Sequence, residues 1–151
     1  MRAYFFVNSA LSGIQKGMQV AHCVAEMMPC LDDDCPTAYN LGRQEKAHDM
    51  AVRWGRGNRE IIVLEGGNHR DLMALEMVLD EGPLWWSAHQ DTSLGLTYTA
   101  VGAIVPERIY KMAEEYRKGP KHLRESEARF SGFTEWEIDF INFLNSCPLA
   151  R

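Results

Sequence analysis

The sequence predicts an α/β domain, because short aromatic and β-branched runs alternate along it with longer stretches of helical period. Glycine and proline punctuate nearly every transition between the two patterns. At 151 residues, with 46% hydrophobic and 25% charged positions, the chain holds enough apolar material for one core without staples. Strands that alternate with helices imply a mixed or parallel sheet covered by helices.

Residues 3–7, AYFFV, read as a buried first strand ending in a turn at Asn8 and Ser9. The spacing of Ile14, Met18, Ala21, Val24, Ala25 and Met28 predicts a helix that packs this stripe on the sheet. Pro29, the acidic run Asp32–Asp34 and Pro36 mark a loop. Residues 38–54 predict a second helix burying Ala38, Leu41, Ala47, Met50, Ala51 and Trp54, with Gly55 and Gly57 ending it. Ile61–Leu64 is an apolar run of the kind found in a strand covered on both faces. Asn68 and Asp71 predict the start of a third helix that faces inward through Leu72, Leu75, Val78 and Leu79.

LWWSA predicts the next strand, in which Trp85 and Trp86 face opposite sides, one toward the core and the other toward an edge or a stacked base. Residues 96–105 predict a strand rich in Thr, Tyr and Val. Pro106 opens a helix to Lys118, stopped by Gly119 and Pro120. In the tail, Thr134 and Glu137 form a capping box ahead of Ile138, Phe140, Ile141, Phe143 and Leu144. The apolar face of that helix docks on its own chain by default, and a homodimer through the same face is the other outcome.

No stretch approaches the length of a membrane span, and the apolar run in MRAYFFVNSAL is too short for a secretory signal. A cytoplasmic location is therefore expected. Cys23, Cys30, Cys35 and Cys147 are unevenly spaced and read as free thiols. A metal site built on Cys30 and Cys35 would have to borrow His22 and Cys23, so none is expected. The net charge of -5 excludes a protein that coats nucleic acid, while Arg53, Arg56 and Arg59, and separately Arg117, Lys118, Lys121 and Arg124, still allow local basic patches. Solvated loop and helix-end charges are the plainer reading of both clusters.

Ligands collect at the carboxyl ends of parallel strands, which directs attention to SALSGIQKGMQVAHC after the first strand. There Gly13, Gly17 and Lys16 can bring backbone amides and a cation to a phosphate, although the spacing matches no dinucleotide or Walker fingerprint. His22, one helical turn beyond Met18, either points into the same site or is satisfied by a nearby carbonyl or water. In SAHQDTSLGLTYTA, His89 and Asp91 form a candidate acid/base pair, and Asp91 with Ser93 and Gly95 equally reads as turn chemistry.

AYFFVNSALSGIQKGMQVAHCVAE resembles the opening of type II peptidyl-tRNA hydrolases, where a strand leads through a Gly/Lys-rich turn into a helix beginning G-K-x-A-A-Q-x-x-H-A. GLTYTAVGAIVP resembles their last strand, and the likeness spans residues 3–115. It implies a single-domain, three-layer α/β/α fold with a mixed four-stranded sheet over residues 1–120; it leaves unexplained the extension 121–151, whose one amphipathic helix is read from the Thr134/Glu137 capping box. It also implies cleavage of the ester between a peptide or aminoacyl group and tRNA, without metal or organic cofactor.

Carried over by position, Gly17 matches the motif glycine and Lys16 a lysine that often precedes it, while Met18 occupies the usual lysine position. Ala21-His22 replaces the usual A-Q, and Ala25 stands at the motif histidine. Ser87 falls where the family has an aspartate, Asp91 matches the aspartate of an E-P-D variant, and Thr99 matches the strand threonine. The expected catalytic set joins Lys16, Asp91 and Thr99, matched to the family, with His89 from the acid/base reading. Gly17, His22, Arg53 and Arg56 are the expected substrate contacts, the last three from the reading of the residues alone. The competing expectation is a binder of tRNA, a nucleotide or another phosphorylated ligand on the same fold; a third is an interaction module working through the tail helix.

Overall fold

A computed structural model describes the backbone of residues 1–27, 41–118 and 121–150, and the side chains of the same residues except 41–48 and 121–124. The loop expected at 29–36, the Cys30 and Cys35 positions and the stop at 119–120 lie outside the described residues. The chain is α/β. Strands β1 (Arg2–Val7), β2 (Ile61–Glu65), β3 (Trp85–Asp91) and β4 (Thr97–Val105) form one mixed sheet in the order β2-β1-β4-β3. β1 runs parallel to β2 and antiparallel to β4, which pairs antiparallel with β3. Helices α1 (Gly13–Met27), α2 (Leu41–Arg56) and α3 (His69–Glu81) complete the first compact unit, residues 1–105 with 149–151.

Alternation along β1 divides the core into two layers. Ala3, Phe5 and Val7 join Ala100 and Ile104 of β4 beneath Val20, Cys23 and Met27 of α1 and Ala51 and Trp54 of α2. On the other face Phe6 and Leu64 are buried, and Leu72, Leu75 and Leu79 are the inward side of α3, which packs on β4. Trp85 packs against the α1/α2 layer. Asn68 and Asp71 make the reciprocal capping box that opens α3. Gly102 lies between the layers, where a Cβ would meet the Phe5 ring at 2.4 and 2.6 Å and Met27 Cε at 3.0 Å. Because the fully buried Phe5 ring would have to give way, Gly102→Ala should lower stability by about 2 kcal/mol in urea unfolding.

Three expectations change here. The buried stripe of α1 is Lys16, Gln19, Val20, Cys23 and Met27, whereas Ile14 is 82% and Met18 55% exposed. Both stripes satisfy a helical period, and partners on the sheet, not apolarity, select the one with two polar members. β2 is an edge strand with Ile61 exposed, so its apolar run does not mark a strand covered all round. Its open edge receives the chain end, where Leu149 bridges Leu64 and the Ala150 amide donates to the Val63 carbonyl at 3.1 Å. β3 extends through Asp91, which places His89 inside a strand instead of a loop.

The second compact unit, residues 106–148, contains α4 (Glu107–Tyr116), α5 (Lys121–Phe130) and α6 (Glu135–Ser146). Pro106 stands at the N-cap of α4, and α4 packs with α5 and α6. The Thr134/Glu137 capping box opens α6, and Glu137 also takes Arg108 Nη2 at 3.0 Å. The helix α5 carries too little apolar residue at regular spacing to announce itself in the sequence. No described helix is long and apolar enough to cross a membrane.

Candidate functional site

The polar groups of the first unit gather where β1 and β2 end and β4 begins. Asn8 closes β1: its amide donates to Thr99 O at 2.9 Å, its Nδ2 donates to Tyr98 O at 3.2 Å, and its Oδ1 accepts from Ala10 N at 3.0 Å. β2 ends at Glu65, whose Oε1 takes the buried ammonium of Lys16 at 2.5 Å. The Lys16 ammonium is thus committed to a carboxylate and does not project into solvent. Ser12 and Gln15 cap the first turn of α1 reciprocally, and Gly17 lies on an open face with no heavy atom within 4 Å of its would-be Cβ.

Gln19 is the residue that sequence reasoning missed. Its side chain accepts from Thr99 Oγ1 at 2.9 Å and donates from Nε2 to Asp91 Oδ2 at 3.1 Å. A fully buried threonine and a half-buried aspartate are thereby joined through one amide. The register makes this possible: His89 pairs with Ala100 and Gln90 with Tyr98, so Thr99 is an extra residue on β4. Such a bulge turns the Thr99 hydroxyl toward α1, on the side that Ala100 also faces. The Thr99 hydroxyl also lies 3.2 Å from His89 O and does not reach the surface, so in this structure it holds its neighbours in place. Gln19 lies off the apolar stripe that the sequence suggests for α1, so no local signal marked it.

Asp91 caps the turn Thr92–Leu94, with its Oδ1 accepting from Ser93 N at 2.8 Å and Ser93 Oγ at 2.5 Å. The Ser93 hydroxyl and amide, and then Gln19, hold its carboxyl below the usual carboxylate range. The folded state gains from this above pH ~4 and loses it as pH falls through the depressed value. Gly95 takes the left-handed conformation that ends the turn, and Leu96 follows with φ 61°.

His89 does not pair with Asp91 directly. Its Nδ1 lies 2.5 Å from Glu26 Oε1, and its ring stacks on His22 at 4.7 Å between centroids with 10° between planes. The His89 side chain is 18% exposed and that of Glu26 44%, while His22 is exposed. His22 therefore stands beside His89, along the α1–β3 seam, and not beside Lys16. Below this seam Cys23 Sγ contacts Ser87 Oγ at 3.0 Å, and Ser87 donates to Cys23 O at 2.9 Å.

Burial is the main cause that pushes the Cys23 thiol up to about 12, opposed in part by Ser87. The thiol stays neutral in the folded chain at ordinary pH. It contributes stability that is complete below the unfolded value of pH ~8.5 and is lost as pH rises from there through the raised folded value. A thiol reagent at pH ~8 should accordingly leave Cys23 unlabelled in the native protein and label it in denaturant, as read by mass spectrometry of its peptide.

Arg53 and Arg56 are not part of this constellation. They are exposed in the last turn of α2, where their charge complements the helix dipole. Arg59 Nε donates to Gly55 O at 2.6 Å, and the chain then enters the N-terminal end of β2, the opposite end from Glu65. The α2-to-β2 connection separates the arginines from Lys16 by the length of that strand. Among the described residues no cluster of three or more His, Cys, Asp or Glu side chains has the geometry for a metal ion. Compared with known proteins, the chain matches no family model and no curated protein sequence.

Proposed function

We propose that this chain hydrolyses an acyl ester of the peptidyl-tRNA or aminoacyl-tRNA type along the α1–β3 seam. The observation that carries the reading is the pair that His89, on the strand that ends in Asp91, makes with Glu26 of α1. With Glu26 accepting from Nδ1–H, the imidazole carries its lone pair on Nε2, the arrangement a general base requires. In the reaction, Nε2 takes a proton from water as the water oxygen bonds to the ester carbonyl carbon. Glu26 stabilises the imidazolium, which returns the proton to the departing ribose oxygen when the acyl–oxygen bond breaks. Asp91, kept ionised by Ser93 and Gln19, orients the water, and Thr99 holds Gln19 in place. Lys16 and Glu65 hold the start of α1 to the end of β2. The substrate class rests on the resemblance of the β1–α1 and β4 segments to type II peptidyl-tRNA hydrolases.

A second reading is binding of the same RNA or a phosphorylated ligand without turnover, through groups other than Lys16. It is raised by one observation, that Lys16 and Thr99, both matched to that family, are buried and engaged, which counts against turnover by the family's groups. The deciding experiment follows release of free tRNA from purified peptidyl-tRNA and aminoacyl-tRNA at one fixed salt concentration. Wild type should release tRNA, with the activity lost in His89→Ala and Asp91→Ala. A folded wild type that binds the RNA saturably and releases nothing establishes the binder, and activity that survives both substitutions overturns the roles of His89 and Asp91.

A further inference from the structure

The stacked imidazoles are held more firmly than an ion pair alone requires. Glu26 fixes one edge of His89, β3 fixes its backbone, and His22 lies against it at 4.7 Å with its ring within 10° of parallel. His22 is exposed on α1, so the pair presents an ordered aromatic face to solvent. Among the described residues of α1, His22 is flanked by exposed Ala21, Ala25 and Glu26 and, one turn earlier, by Met18, which is 55% exposed. A planar group with an apolar face and a hydrogen-bonding rim suits this mixed apolar and polar surface.

We infer that His22 is a stacking platform for a nucleobase, backed by His89 and placed one turn of α1 from Gln19 and the Asp91 end of the seam. The inference rests on the nucleic-acid reading above and assigns the ring to the base of the nucleotide that carries the reacting ester. Base–aromatic stacking is tolerant of sequence and is lost when the ring is removed, so a ring of different chemistry should serve nearly as well.

The test titrates the full chain with AMP and, separately, with ribose 5-phosphate, following the imidazole proton resonances and the heat of binding. AMP should move the His22 resonances upfield by its ring current, bind about tenfold more weakly to His22→Ala, and bind His22→Phe as it binds the wild type. Ribose 5-phosphate, which has no base, should bind more weakly than AMP to the wild type and be indifferent to His22→Ala. Equal binding of the two ligands, no AMP binding, or AMP affinity unchanged in His22→Ala overturns the inference. AMP stacking that persists in a chain unable to release tRNA overturns only the hydrolase; tRNA release with AMP indifferent to His22 overturns only the platform.

Discussion

Glu65→Ala should lower the unfolding free energy by about 3 kcal/mol, measured by urea denaturation at neutral pH. Glu65 faces the Lys16 ammonium at 2.5 Å, and the two side chains are 18% and 9% exposed. Their attraction offsets the removal of both charges from water, and deleting the carboxylate leaves the ammonium in the same poorly hydrated place. The residual exposure of Glu65 keeps the cost at the low end for a broken buried pair. Lys16→Met combined with Glu65→Leu removes both charges together and should recover much of the loss, since the desolvation cost disappears with them. A single substitution that unfolds no more easily than wild type would show that water already reaches the ammonium. Such an outcome would return Lys16 to the groups able to meet an anion.

His89→Asn should slow ester hydrolysis by about a hundredfold, at the lower end of what a positioned general base contributes. The effect should fall on kcat, because the proton moves only as the water attacks. Glu26→Gln preserves an acceptor oxygen for Nδ1 and removes the charge that stabilises the imidazolium, so its loss should be smaller than that of His89→Asn. Gln19→Ala provides an internal control. It breaks the link between Thr99 and Asp91 without touching the imidazole, and an effect as large as that of His89→Asn would transfer the central role to Asp91. Equal rates for wild type and His89→Asn would end the acid/base assignment.

Local patterns in the chain anticipated much of the architecture. AYFFV became β1, the Asn68 and Thr134 capping signals open α3 and α6, and Leu72, Leu75 and Leu79 of the expected stripe are the buried side of α3, whereas Val78, expected with them, is 43% exposed. Each of these depends on neighbours within a few residues, which is why it is legible without the fold. The α1 stripe was not legible, because Ile14 and Met18 continue an apolar period that the folded chain turns outward. Nor was the environment of His89, since Glu26 and His22 approach it only through packing of α1 on β3.

By itself, then, the sequence determined an α/β chain, the type and approximate place of most of its elements, and a set of polar residues around the first turn and the last strand. Tertiary structure decided which of those residues meet. The sheet order puts β1 between β2 and β4, so Lys16 finds Glu65, while the β4 bulge turns Thr99 to Gln19 and through it to Asp91. The physical reason is that helix and strand periods are set by local sterics and apolar spacing, whereas the phase of a helix against a sheet is set by the partners available for its buried polar groups.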